Sequence, residues 1–172
     1  LTVTAINLEY YYEDFEDGLA QGWMPTVPAE WSVVTGYYRA SGAAGAFMTS
    51  VYPPREWADC SVESRIITTG NVLNSHGVAL RPTSNMSVNV SGSGYLFLLS
   101  TNSYSVWVQN AGVPTQLQGW SLTTAINSTT NTVLASAMGT TLRLLQLQTR
   151  HVLRNRLPNR RQRPRRVAVD PA

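Results

Sequence analysis

The sequence has few of the residues on which much protein chemistry depends. Lysine is absent, so all 13 basic residues are arginine, and there are only two histidines, His76 and His151, and one cysteine, Cys60. A single cysteine excludes an internal disulfide, and we expect Cys60 to be a small buried strand residue. These three residues do not lie at metal-ligand spacing, and no Ser/His/acid pattern is present. We therefore expect neither a zinc site nor a catalytic triad.

Long apolar runs are also lacking, and charge is unevenly distributed. No run approaches the ~18 apolar residues of a membrane span, and no basic segment precedes an apolar one near residue 1, so neither a membrane span nor a signal peptide is predicted. Residues 1–142 contain four arginines and nine acidic residues, whereas residues 143–172 contain nine arginines and one acidic residue. Residues 149–172 form a basic tail without interleaved aromatic residues, which we expect to be disordered or aberrant, with no nucleic-acid partner.

The most informative stretch runs from residue 76 to residue 109. It holds three short runs rich in apolar, aromatic or β-branched residues, each bounded by Gly, Asn, Ser or Pro, which is typical of consecutive antiparallel strands. Large and small side chains alternate from Tyr104 to Val108, so one face of this strand should meet a core. The run from Tyr95 to Leu99 is apolar throughout, which predicts a strand covered on both faces.

Further short strands are predicted along the chain, with turn residues at short intervals and no convincing helical pattern before residue 140. In residues 58–68, Cys60, Val62 and Ile66 fall on one face, which indicates a strand with one wet side. Residues 110–119 predict a turn and a short strand around Pro114, and Gly119-Trp120-Ser121 follows. The fold class is therefore an all-β antiparallel sandwich or jelly roll, with residues 1–148 forming one domain.

The acidic residues offer little support for catalysis. Four acids within residues 13–17 leave two alternatives, a solvated acidic turn or a calcium site, although the EF-hand spacing is absent. Glycosidases need two carboxyl groups that face each other across the scissile bond. The nearest acids, Glu56, Asp59 and Glu63, are spaced wrongly for one strand face. We expect no cofactor and favour a non-catalytic protein.

Aromatic residues are the more useful clue to function. Five tryptophans are many for this length, and an amphipathic ring can stack on a sugar while its neighbours bind the hydroxyl groups. Trp31 and Trp57 lie near predicted loops, and Tyr104 and Arg81 could lie on a sheet face. These four residues are the predicted ligand-binding set, with core or edge packing as the alternative for each.

Five motifs follow one another along residues 10–145. They are Asp14-Phe15 with Gly22-Trp23, Gly36-Tyr37-Tyr38-Arg39, Gly77-Val78-Ala79-Leu80-Arg81, Gly94-Tyr95-Leu96-Phe97 with Tyr104-Ser105-Val106-Trp107, and Ala125-Ile126-Asn127 with Asn131-Thr132-Val133. In this order they resemble the concanavalin A-like, laminin-G-like jelly-roll domains, in the branch grouped with 3-keto-disaccharide hydrolase-like domains. This resemblance implies a two-sheet jelly roll and a carbohydrate ligand.

The sequence departs from that family after Leu144, where a turn and a closing strand are missing. A frame shift near residue 145 is one hypothesis, and reading the DNA in the other frames would test it. The predicted function is a carbohydrate-binding or adhesive module, with polysaccharide as a candidate ligand, from a larger extracellular or cell-surface protein. The alternatives are a glycoside-processing enzyme domain and an assembly subunit that forms homo-oligomers through open sheet edges, with residues 1–6 pairing with a neighbouring chain.

Overall fold

The protein is all-β, as the sequence predicts. The structure is a computed structural model that describes residues 11–42, 47–52, 57–71, 73–83, 92–127 and 129–147. The predicted strand at residues 1–6 and the basic tail at residues 149–172 lie outside these ranges. The described strands are β1 (Met24–Pro25), β2 (Trp31–Val34), β3 (Tyr37–Ala40), β4 (Ser50–Val51), β5 (Cys60–Ile67), β6 (His76–Leu80), β7 (Gly94–Ser100), β8 (Ser103–Asn110), β9 (Val113–Leu122), β10 (Thr130–Met138) and β11 (Thr141–Leu147).

Two antiparallel sheets form the body of the protein. The larger has four strands in the order β6-β7-β8-β9, and the smaller has three in the order β11-β10-β5. Strands that are neighbours in the larger sheet also follow one another in sequence, so the sheet is a meander. Two-residue turns join β7 to β8 and β8 to β9, whereas residues 81–93 connect β6 to β7. In the smaller sheet the central strand β10 pairs with β5, which lies far away in sequence. Two further two-stranded pairs come from the N-terminal third, namely the hairpin β2-β3 and the pair β1-β4, whose strands flank that hairpin in sequence.

The core lies between these two sheets. Leu80 and Phe97 of the larger sheet pack with Ala135 and Ala137 of β10, and all four are at most 2 % exposed. Two alanines on the central strand leave room for the Phe97 ring, because large and small side chains interdigitate when sheets pack. The predicted inward face of β5 is confirmed, since Cys60 and Val62 contact this cluster and Ile66 contacts the neighbouring one. The antiparallel sandwich predicted from the sequence is therefore confirmed.

Strand β7 is buried on both faces, as its continuous apolar run predicts. Phe97 and Leu99 are 1 % exposed and belong to the core between the sheets. Leu96 points to the opposite face and is still only 6 % exposed. A strand in the middle of a sheet can be apolar throughout only where both of its faces are covered.

Two tight turns set the register of their hairpins. Thr35 and Gly36 have φ values of 50° and 73° between β2 and β3, and Ala111 and Gly112 have 47° and 84° between β8 and β9. Positive φ at both central residues defines the type I′ turn, whose twist matches that of the flanking strands. Glycine takes the second position of each turn because it adopts positive φ without a steric penalty.

The strand around Pro114 is longer than the sequence predicts. The sequence predicts a short strand within residues 110–119, but β9 is a single ten-residue strand that continues through Gly119 to Leu122. Proline is tolerated on an edge strand, and β9 is one among the described strands. The pairing with β8 shifts register twice between residues 104 and 107, so the strand absorbs extra residues as bulges.

Candidate functional site

Arg81 holds one end of the sandwich together. It follows β6 with φ of 51°, and its guanidinium group donates to the carbonyl oxygens of Ala58 and Gly139, the latter at 2.9 Å. It also pairs with Asp59 at 3.3 Å, and Asp59 accepts a hydrogen bond from the Gly139 amide at 2.7 Å. These bonds join the start of β5, the end of β6 and the β10–β11 turn, so Arg81 is engaged within the protein.

The four predicted ligand-binding residues do not form one site. Trp57 is half-buried and precedes Ala58 in the chain, so it lies at the Arg81 end of the sandwich. Tyr104 aligns through Leu99 with His76, at the opposite end of β6. Its side chain packs against the core cluster that contains Leu99. Because β6 spans five residues, the Trp57–Arg81 end and Tyr104 lie roughly 13 Å or more apart along the strand direction.

Trp31 belongs to a separate group of rings, which we call the aromatic cluster. Trp31 packs on Tyr38 with ring centroids 4.6 Å apart, and Tyr38 contacts Phe15 at 5.3 Å and Trp23 at 5.7 Å. The indole Nε1 of Trp31 is enclosed, with no hydrogen-bond partner among the described residues. Most ring faces are used against one another, so this cluster resembles a small core. Its members are Tyr11, Phe15, Trp23, Trp31, Tyr38 and Tyr52.

Tyr11 forms the rim of the aromatic cluster. Its ring stacks on Tyr52 at 3.9 Å, and its hydroxyl group donates to Glu13 at 3.2 Å. Burial, and then the hydrogen bond to Glu13, raise the pKa of Tyr11 to about 12. The hydroxyl group therefore stays protonated at neutral pH and remains a donor.

The acidic segment forms turns closed by its own carboxylates. Glu13 accepts from the amide of Phe15 at 2.8 Å, Asp14 from that of Glu16 at 3.2 Å, and Asp17 from that of Leu19 at 2.9 Å. Asp side chains commonly close turns by accepting from an amide two residues further on, and Glu13 makes the same type of contact here. Among the residues that the structure describes, no group of three or more His, Cys, Asp or Glu side chains is placed to hold a metal ion.

Trp120 presents the most accessible indole of the molecule, and sequence reasoning missed it. It lies on β9 and is 46 % exposed, whereas Trp23, Trp31, Trp57 and Trp107 are half-buried. Two positions before it in the chain, Gln118 donates through Nε2 to the hydroxyl group of Ser121 at 3.0 Å and to the carbonyl oxygen of Gly119 at 3.2 Å. This stretch of β9 thus carries an accessible aromatic ring together with uncharged donors and acceptors.

Strand β9 can carry polar residues on the side that faces the smaller sheet because that sheet has one strand fewer. Thr115, Gln118 and Ser121 are paired with Val108, Val106 and Tyr104, whose neighbours on β7 lie over the smaller sheet. Every residue of β9 except Ser121 is exposed, so the strand overhangs the three-stranded sheet. The sequence does carry a sign of an uncharged polar surface, since residues 113–122 contain two glutamines and a tryptophan but no charged residue. Because the predicted strand ends at Gly119, these residues are not predicted to share one strand.

A depression elsewhere on the surface fits a sugar less well. It has a volume of about 270 Å³ and is lined by Ser136, Met138, Thr141 and Arg143 of the β10–β11 hairpin. These residues provide no aromatic ring on which a pyranose could stack. The surface around Trp120 is therefore the better candidate for a ligand site.

His76, at the start of β6, is expected to make the stability of the fold depend on pH. Its ring lies 3.2 Å from the Thr68 hydroxyl group, and burial lowers its pKa below the usual 6.5. A histidine that resists protonation in the folded state stabilises the fold above its unfolded pKa of about 6.5, and that contribution is lost as the pH falls towards the folded-state pKa.

We therefore expect the free energy of unfolding to decrease as the pH falls from 7.5 to 5, and the H76Q variant to show a weaker dependence over this window. Urea midpoints at several pH values measure this, with H151Q as the control. An equal pH dependence of H76Q and the unchanged protein would contradict the role of His76.

No helix among the described residues is long and apolar enough to cross a membrane. Comparison of the sequence with protein-family models, with curated proteins and with solved structures gave no match. The described geometry and the sequence motifs therefore carry the functional argument.

Proposed function

We propose that the protein is a non-catalytic carbohydrate-binding module of a larger extracellular or cell-surface protein. We also infer that its sandwich is of the concanavalin A-like jelly-roll type, an inference supported by the order of the sequence motifs. The observation that carries the functional proposal is the exposed indole of Trp120 on β9, the strand that also carries the polar residues Gln118 and Ser121.

The chemistry of this surface suits a neutral sugar. A pyranose has an apolar face of C–H groups that stacks on an indole, and a rim of hydroxyl groups that exchange hydrogen bonds with amides and hydroxyls. Gln118 and Ser121 supply both donors and acceptors. Residues 82–142 contain no Asp, Glu, Lys or Arg, so nothing on β9 would pair with a charged sugar.

The site is open, which suits a polymer. Trp120 is 46 % exposed and lies on β9, an edge strand among those that the structure describes. A long polysaccharide can pass across such a surface and contact it with only a few of its units. Contacts within the protein already occupy the side chains of Arg81, Trp31 and Tyr104. A ligand-binding role for these three residues, and for Trp57, remains a prediction.

Replacing Trp120 with alanine is expected to weaken sugar binding at least about tenfold, because the stacking surface is lost. A glycan array with neutral oligosaccharides and polysaccharides identifies the ligand, and isothermal titration of the best one gives the affinities. Y37A is the matched control, since Tyr37 is 45 % exposed but lies on β3.

Two outcomes would count against this proposal. If no neutral glycan binds the unchanged protein, the function is wrong. If a glycan binds but W120A leaves its affinity unchanged, the site is elsewhere, and alanine variants of Trp31, Trp57 and Tyr104 would locate it.

A further inference from the structure

The outer edge of the four-stranded sheet is unusually open. Strand β9 runs for ten residues, pairs only with β8 among the described strands, and is exposed along nearly its whole length. An edge strand presents a row of unpaired N–H and C=O groups that can pair with another strand. It also carries apolar side chains in contact with water, namely Val113 (65 % exposed), Leu117 (52 %), Trp120 (46 %) and Leu122 (80 %).

The usual protection of such an edge is weak here. Natural edge strands are commonly protected by charged side chains, prolines, bulges or short length. Strand β9 has no charged residue, its only proline, Pro114, lies near one end, and its bulges are confined to the stretch from Gln116 to Ser121. The other described edges are better protected, since β5 carries Glu63 and Arg65, β11 carries Arg143, and β6 has only five residues.

We propose that β9 pairs antiparallel with β9 of a second copy of this chain, giving a dimer with one continuous sheet across both subunits. Three features favour a second copy over a different partner. A strand without charge meets its own copy without repulsion, and it offers no counter-charge to a charged partner. Antiparallel pairing about a two-fold axis also brings the Val113 end of one strand beside the Leu122 end of the other, so exposed apolar residues meet.

The pairing closes at two subunits. Each β9 edge is consumed by its partner, so the contact is isologous and cannot propagate into a filament. The bulged stretch of β9 and the missing amide proton of Pro114 limit how many backbone bonds can form. The contact is therefore smaller than the ~1,600 Å² of a standard stable interface, and the dimer should depend on concentration.

Sedimentation velocity of the full chain across about 10–500 µM is expected to show a monomer–dimer equilibrium, in line with a small interface. The variant L117K places two lysines close together near the middle of the paired strands and should raise the dissociation constant at least about tenfold. The matched control is L145K, because Leu145 is also 52 % exposed but lies on β11 of the other sheet.

The outcomes separate clearly once thermal melts show that both variants remain folded. Dimerisation that is weakened in L117K and retained in L145K supports the β9 interface. A protein that stays monomeric over the whole range overturns the proposal. So does a dimer that persists in L117K, or one that is lost in L145K, because the interface is then elsewhere. Growth to species larger than a dimer overturns the two-fold closure. Sugar binding is measured independently, by glycan array and titration. The proposed dimer and the proposed sugar site can therefore each be rejected without rejecting the other.

Discussion

Replacing Gly77 with alanine is expected to destabilise the fold by about 3 kcal/mol or more, enough to leave much of the protein unfolded. Gly77 lies on β6 opposite Leu98 of β7. A Cβ atom at this position would overlap the backbone carbonyl oxygen of Phe97 and lie 2.9 Å from its carbonyl carbon. The obstructing atoms are backbone, so no side chain can turn aside to relieve the overlap.

The control for this prediction is another strand glycine. Gly119 on β9 would place a Cβ atom in open space, with nothing within 4 Å. We expect G119A to change the free energy of unfolding by less than about 0.5 kcal/mol, as for most surface substitutions. Urea denaturation followed by tryptophan fluorescence compares the two. A G77A protein as stable as G119A would show that β6 and β7 do not approach as described.

The second large effect is expected at Phe97, the centre of the core. F97A should lower the free energy of unfolding by about 3–5 kcal/mol, because it removes buried apolar surface and leaves a cavity. Phe97 is 1 % exposed and packs against the two alanines of β10. Small neighbours have few atoms with which to fill the space, which favours the upper part of this range.

L122A is the control for F97A, since Leu122 is an apolar strand residue that is 80 % exposed. Its substitution should cost less than about 0.5 kcal/mol. Denaturation of both variants by urea, with the slope compared as well as the midpoint, measures the difference. Equal stability of F97A and L122A would place Phe97 outside the core and contradict the packing of the two sheets.

Local sequence pattern was enough to predict most strands of the sandwich. The alternation in β5 identifies its buried face, and the continuous apolar run of β7 identifies a strand covered on both sides. These features work because side-chain direction in a strand repeats every two residues. Type I′ turns such as Ala111-Gly112 then fix the register between neighbouring strands.

Long-range contacts could not be predicted in the same way. The sequence marks Arg81 as a candidate ligand residue, yet its guanidinium group is engaged by Gly139, 58 positions away along the chain. Nothing near Arg81 in the sequence indicates that partner. Strand β9 was obscured for a different reason, since Pro114 and Gly119 normally end strands but are tolerated at an edge and at a bulge.

The two proposals use different parts of the same strand. Sugar recognition uses the exposed indole of Trp120 and the side chains of Gln118 and Ser121, whereas pairing with a second copy uses the backbone groups of the β9 edge and the apolar side chains of Val113 and Leu122 at its ends. A dimer would carry two sugar sites, and two weak sites on one polysaccharide bind more tightly than either alone.

The lone cysteine allows the most direct test of the sandwich on which both proposals depend. Cys60 of β5 is paired with Ala137 of β10, and both side chains face the core between the sheets. Directly opposed Cβ atoms lie ~4.5–5.5 Å apart, near the range of a disulfide.

The variant A137C should therefore form a bridge to Cys60 on mild oxidation of the folded protein, detected by thiol titration and peptide mapping. S136C, whose side chain points to the opposite face, should not. A bridge in S136C and none in A137C would mean that the register is shifted by one residue, and a folded protein with no bridge in either would contradict the pairing of β5 with β10.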